Sequence, residues 1–135
     1  MGHRFGRETW SVVLPEGWRG WHDPECATMA GGEEVGSLQI SAYFKDADVL
    51  DEDLREFASG HFDAGGEPAA VRYGEFSGFV FWFGTEGKFC MESYLRKQRQ
   101  MLFVTYTCSA ENRGVEDGVV DEILQSLAGS GANAA

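Results

Sequence analysis

Residues 71–108 carry strand-like segments separated only by the three-residue turns 85–87 and 98–100, and spacing this short leaves little choice of topology. A tight turn joins antiparallel neighbours, because a parallel pair needs a crossover of about a dozen residues or more. Residues 78–84 (GFVFWFG) are apolar at every side-chain position, which predicts a central strand covered on both faces. Phe79, Phe81 and Phe83 then point to one face, Val80 and Trp82 to the other. Residues 88–97 set Phe89, Met91 and Leu95 against Glu92, Tyr94 and Arg96, and 101–108 (MLFVTYTC) are β-branched and aromatic, so both read as strands.

The preceding half of the chain changes period twice. Residues 9–14 read as a first strand, stopped by Pro15, Glu16 and Gly17 and followed by Trp18. Residues 18–30 read as irregular, with a turn at Asp23 and Pro24 and a short strand at 26–29. Residues 35–44 alternate, with Leu38, Ile40 and Ala42 opposite Gln39, Ser41 and Tyr43. Leu50, Leu54, Phe57, Ala58 and His61 then recur every three or four residues and predict a helix over 46–60. Asp48, Asp51, Glu52 and Asp53 crowd its start, where the helix dipole favours negative charge. Residues 62–70 read as loop and 71–76 as a weak strand. A second helix is expected over 116–127, where Val119, Val120, Ile123, Leu124 and Leu127 form a stripe that must pack on the sheet. The expectation is a flexible N-terminus over 1–8, one domain over 9–127 and a disordered tail over 128–135. Its fold class is α+β, a central antiparallel sheet of about six strands packed by two helices.

A chain of 135 residues suits one domain and needs neither a disulfide nor a metal to fold. Eleven Lys and Arg against 22 Asp and Glu leave a net charge of -11. Such a surface repels phosphate backbones and anionic bilayers, which argues against nucleic acid and membrane and for a basic protein partner. Cys26, Cys90 and Cys108 are odd in number and lack a CxxC spacing, so they read as reduced thiols. The first seven residues hold no apolar leader, and the apolar run 79–83 is too short to span a bilayer, so the expected location is the cytoplasm.

A first strand ending in Leu14-Pro15-Glu16-Gly17-Trp18, followed by Leu38-Gln39-Ile40-Ser41 and the acidic Asp53-Leu54-Arg55-Glu56-Phe57-Ala58 helix, resembles the PsbP-like superfamily. Thr105-Tyr106-Thr107 and the closing Ile123-Leu124-Gln125-Ser126-Leu127 helix fit the same pattern, which extends over about residues 9–127. The superfamily includes PsbP of photosystem II, the Ran-binding import factor Mog and bacterial DcrB-like proteins. The resemblance implies a central antiparallel sheet flanked by helices and non-enzymatic roles in binding or assembly. It points to an uncharacterised bacterial branch, without the export signals or lipid anchors of PsbP and DcrB. No functional residue carries over.

Residues 18–26 gather Trp18, Trp21, His22, Asp23, Glu25 and Cys26, a candidate pocket for a metal or a small ligand. A structural zinc site needs more Cys or His than this, and an aromatic-anchored loop is the simpler reading. Cysteine catalysis requires a base beside the thiol; His61 is the candidate for approaching Cys90 or Cys108. The run Asp46, Asp48, Asp51, Glu52, Asp53 and Glu56 lacks the glycine of a calcium loop. It remains a surface for a basic partner. Arg96, Lys97 and Arg99 form a compact basic spot at a hairpin tip, which allows pairing with acidic surface on another copy and hence a homodimer. Trp10, Trp18, Trp21, Phe79, Phe81, Trp82, Phe83 and Phe103 exceed what one sheet face needs, so a face left uncovered would be sticky.

The functional expectation is therefore a non-enzymatic protein-binding module without a cofactor. Two forms are an immunity protein for a secreted toxin and an effector chaperone. The proposed contacts are Asp48, Asp51, Glu52, Asp53, Glu56, Trp18, Trp21 and Trp82. The alternative is a small-ligand-binding protein or enzyme using the 18–26 loop.

Overall fold

The computed structural model describes residues 2–33 and 35–129. Among the described residues nine strands occur in chain order with three short α-helices: β1 (His3–Arg7), β2 (Trp10–Leu14), β3 (Trp18–His22), β4 (Ala27–Gly31), β5 (Gly36–Phe44), α1 (Asp51–Phe57), α2 (Ser59–Asp63), β6 (Ala69–Tyr73), β7 (Phe76–Thr85), β8 (Lys88–Lys97), β9 (Gln100–Ser109) and α3 (Asp117–Gln125). Seven strands form one sheet in the order β3-β4-β5-β9-β8-β7-β6, while β1 and β2 form a separate hairpin. Every pairing is antiparallel. The architecture is a sheet-dominated α+β fold, with one strand more in the main sheet and one helix more than the sequence suggests.

The long hairpins follow from local chemistry. The β7–β8 connection is two residues, Glu86 (φ 49) and Gly87 (φ 79). A two-residue turn with both φ values positive matches the twist of the flanking strands, and glycine supplies the second position without steric cost. β8 and β9 then pair over their full lengths, from Lys88 opposite Ser109 to Lys97 opposite Gln100.

This ladder sorts side chains onto two faces. Val80, Met91, Leu95, Leu102, Val104, Tyr106 and Leu38 join the larger core, closed by Val120, Ile123, Leu124 and Leu127 and by the β1–β2 hairpin. Phe79, Phe81, Tyr94 and Met101 face the other way and meet Val49, Leu54 and Ala58. Phe79, Phe81 and Phe83 thus do oppose Val80 and Trp82. Both faces carry helices, so neither is wholly open. β7 is not a fully central strand, since its partner β6 ends at Ala69 opposite Val80. Pro68 precedes Ala69 and has no N–H to continue the ladder.

Three expectations about the termini and the irregular region need correction. Residues 3–7 form β1 rather than a flexible end. Phe5 lies over Gly20, where a Cβ would come within 2.6 Å of its ring, and stacks on His22 at 4.8 Å. Residues 18–30 form the β3–β4 hairpin, because the β1–β2 hairpin supplies the apolar cover that the sequence does not advertise. At the other end, Ala128 exchanges two 2.9 Å backbone hydrogen bonds with Ser11, and the Gly129 N–H donates to Glu75 at 3.0 Å. The rest of the expected tail, 130–135, lies outside the described residues.

The helix expected over 46–60 is broken into α1 and α2 at Ala58, and its start is later, at Asp51. Leu50 has no side-chain acceptor for the first turn, but the Asp53 carboxylate accepts the Leu50 N–H at 2.8 Å, so capping begins there.

Ile123 is fully buried between α3 and the sheet, whereas Val115 is 64% exposed. Ile123→Ala should cost about 3 kcal/mol in urea unfolding and Val115→Ala less than about 0.5 kcal/mol. Equal effects would mean that α3 is not the lid of this core.

Candidate functional site

The positions singled out in the sequence separate into three places. Trp18 is 9% exposed and belongs to the core, so it offers nothing to a partner. Trp21 is exposed on the edge strand β3 with the Arg19 guanidinium over its ring at 5.9 Å. Trp82 is 53% exposed on the opposite side of the sheet's order, in β7.

The 18–26 segment does not assemble a metal site. His22 Nε2 is 2.7 Å from the Gly6 carbonyl oxygen, which commits its ring to β1. Asp23 Oδ2 accepts from Thr28 Oγ1 at 3.0 Å, and the Arg7 guanidinium donates to the Cys26 carbonyl at 2.9 Å. Among the described residues no three His, Cys, Asp or Glu side chains converge as metal ligands. The loop is a hairpin turn tied to the first strand.

Among the described residues no hydrogen bond joins His61 to Cys90 or Cys108. Its Nε2 lies 2.6 Å from Glu92 Oε1, its ring stacks on Phe81 at 4.3 Å, and Tyr94 donates to the same carboxylate oxygen at 3.1 Å. Cys90 and Cys108 point to opposite faces, since Cys90 pairs with Thr107 and Cys108 with Phe89. All three thiols are free.

The acidic run is partly neutralised within the molecule. Lys45 Nζ lies 2.6 Å from Asp53, and this hydrogen bond, with that from Leu50, holds the Asp53 carboxyl below the usual carboxylate range. Asp51 accepts from Arg55 at 2.9 Å. Asp48, Glu52 and Glu56 are exposed to solvent.

A concavity lies beside Trp82, between the sheet and α3. A cavity of about 370 Å³ is lined by Tyr73, Trp82, Phe89, Met91, Tyr106, Arg113, Asp117, Asp121, Val120 and Leu124. A second hollow of about 240 Å³ continues it past Trp82, Phe89 and Arg113 toward Lys88 and Ala110. The strands deliver the floor. Trp82 is opposite Met91 and Met91 opposite Tyr106, so one cross-strand row spans β7, β8 and β9. Helix α3 delivers the wall: Val120 and Leu124 face inward, while Asp117 and Asp121, four residues apart, line one exposed side. Arg113 closes the other side with its guanidinium over Phe89 at 4.7 Å.

Tyr106 donates to Glu116 Oε1 at 2.7 Å, and both residues are buried. Burial, then the Glu116 acceptor, pushes the Tyr106 hydroxyl far above its ordinary range. Burial and the Asp121 charge do the same, less strongly, to Tyr73. These hydroxyls stay protonated and are donors, not bases, at neutral pH.

Of this groove the sequence reading contains Trp82 alone among its proposed contacts. Tyr73, Phe89, Tyr106, Arg113, Asp117 and Asp121 are missed because they come from four separate elements and the loop before α3. One signal was available: Asp117 and Asp121 flank the apolar stripe of the last helix at a four-residue spacing.

No protein-family model matches the chain, and no curated protein matches it significantly. Solved structures do. A crystal structure from Bacteroides thetaiotaomicron VPI-5482 is similar with a TM-score of 0.67 and 15% identity over 89% of this chain, which spans 44% of that one. Cyanobacterial PsbP (CyanoP) from Synechocystis sp. PCC 6803 is similar with a TM-score of 0.64 and 11% identity, over 95% of this chain and 92% of that one. LpqN of Mycobacterium tuberculosis, involved in cell envelope biogenesis, is similar with a TM-score of 0.61 and 11% identity, over 96% and 90%. At these identities the likeness is one of fold, and the fold is PsbP-like. Among the described residues no helix is long and apolar enough to cross a membrane.

Tyr73, Tyr94 and Tyr106 all have raised folded-state values, with burial the largest cause in each. A raised acid contributes stability below its unfolded value, about 10 for tyrosine, and that contribution is lost as pH climbs toward the folded value. Stability should therefore fall above about pH 10, and phenolate absorbance from Tyr73, Tyr94 and Tyr106 in the native protein should lag that of the urea-unfolded chain. Tyr106→Phe should remove its share of the lag and cost about 1–3 kcal/mol, because Glu116 loses its buried donor.

Proposed function

We propose that this chain is a non-enzymatic binding module that holds a basic protein segment in the groove beside Trp82. The observation that supports this most is Trp82 itself, a large aromatic half exposed at the lip of an aromatic-floored cavity. An exposed indole next to a concavity is the kind of anchor that dominates interface energetics. Asp117 and Asp121 offer carboxylates to a lysine or arginine lying along α3, and the net charge of -11 attracts such a partner from a distance.

The edge of β7 adds a second means of recognition. Beyond Val80 no strand among the described residues pairs with its outer side, so 82–85 can accept an extended segment by strand addition. A strand laid there places alternate side chains on the Trp82 face. An immunity protein for a basic toxin and a chaperone for a basic effector both fit this chemistry, acting in the cytoplasm where Cys26, Cys90 and Cys108 stay reduced.

A small-ligand reading is favoured by one observation, the volume of about 370 Å³, which falls within the range of small-molecule sites. That ligand would sit here and not in the 18–26 hairpin. A protein partner answers better to the exposed edge and the carboxylate pair, neither of which a small apolar ligand covers.

Trp82→Ala should leave the melting temperature almost unchanged and raise the Kd for the cognate partner at least thirty-fold, about 2 kcal/mol. Asp117→Asn with Asp121→Asn should weaken binding most at low salt. Isothermal titration with the co-purifying partner checks both. Unaltered affinity in both variants would place the interface elsewhere.

A further inference from the structure

A second surface lies on the other face of the sheet, the face that carries α1 and α2. Arg19 of β3 is opposite Ala30 of β4, Ser37 of β5 opposite Thr107 of β9, and Ser109 opposite Lys88 of β8. Their strand neighbours Trp18, Leu38 and Cys108 belong to the core under α3, so alternation turns this set to the other face, with Trp21 two residues on from Arg19. Helices α1 and α2 pack over Phe79, Phe81 and Tyr94, and none of their residues lines this end. What remains is an open recess of about 490 Å³, within the range of small-molecule sites.

Its lining runs against the composition of the chain. Acids outnumber bases 22 to 11, yet the recess is lined by two bases, Arg19 and Lys88, and by no acid. Glu33, Glu86 and Glu111, each two residues from a lining position, are exposed to solvent and do not line it. Lys45, Arg55 and Lys97 pair with carboxylates. Among the described residues Arg19 and Lys88 make no ion pair, and the Ser37, Thr107 and Ser109 hydroxyls make no hydrogen bond. Unpaired cations beside free hydroxyls suit an anion.

The order of groups along the recess narrows the ligand. At the β3 end stands Trp21, 43% exposed, with the Arg19 guanidinium over its ring. The middle is small and hydroxylated, through Ala30, Ser37 and Thr107, and the far end holds Lys88 beside Ser109. From β3 to β8 there are four interstrand steps, about 19 Å. A nucleotide carries its parts in the same order: a flat base that stacks on an indole, a hydroxylated sugar, and phosphate that a cation holds.

We propose that this recess binds a nucleoside phosphate, with the base on Trp21, the sugar over Ser37 and Thr107, and the phosphate at Lys88. This ligand differs from the apolar one that the Trp82 cavity would take, and the two sites lie on opposite faces. Lys88 also bounds the hollow that continues the Trp82 groove, so the test includes a Trp82 control.

Equilibrium dialysis with labelled ADP reads the result. ADP should bind one to one, and adenosine or inorganic phosphate should each compete at least about tenfold more weakly. Trp21→Ala and Lys88→Ala should each raise the Kd at least about fivefold with an unchanged melting temperature. Ala30→Phe, which fills the recess without touching a charge, should do the same, and Trp82→Ala should leave ADP affinity unaltered. No retention of ADP at millimolar concentration, inorganic phosphate competing as well as ADP, affinity indifferent to Trp21→Ala and Lys88→Ala, or affinity lost with Trp82→Ala would each overturn the proposal.

Discussion

The register of β8 against β9 is the constraint on which the remainder rests. Ten residues on each strand pair without a bulge, from Lys88–Ser109 to Lys97–Gln100. Because side chains alternate, a slip of one residue would exchange Met91 and Leu95 with Glu92, Tyr94 and Arg96. The core beneath α3 would gain charge, the Tyr94 cluster beneath α1 would lose its centre, and the row Trp82–Met91–Tyr106 that floors the groove would vanish. Two short turns and a run of apolar alternation hold this register, and both faces reinforce it through separate cores.

The two faces are covered by different means, and this is why the groove exists. On one face α1 and α2 lay Val49, Leu54 and Ala58 over the phenylalanines. On the other, the cover is divided between the β1–β2 hairpin and α3, and the hairpin meets the end of α3 through Ser11 and Ala128. Helix α3 is only nine residues long. It seals Ile123 and Leu124 completely but leaves Trp82 beyond its reach. Buried Glu116, held by Tyr106, anchors the start of the helix at the edge of the cavity.

The parts of this fold readable in the sequence are those whose signals are local. Alternation at Leu38, Ile40 and Ala42, the GFVFWFG run and the stripe Val120, Ile123 and Leu124 each identify their element and its buried side. What escaped depends on distant partners. His3–Arg7 has no strong pattern of its own and becomes a strand because Phe5 finds Gly20 and His22. Trp18–His22 looks polar and irregular because only Trp18 of its side chains is fully covered. The same limit applies to the site: Trp82 is conspicuous alone, but Tyr73, Arg113 and Asp121 acquire meaning only once β6, α3 and β7 are side by side.

The proposed binding groove is centred on Trp82. The most direct test is a photo-crosslinking amino acid placed, in separate proteins, at positions 82, 21 and 44 and irradiated in the native cell. Binding in the Trp82 groove should give one discrete adduct with a basic protein at position 82 and none of that species at position 21. No adduct at 82, or the same adduct from position 21, would contradict it.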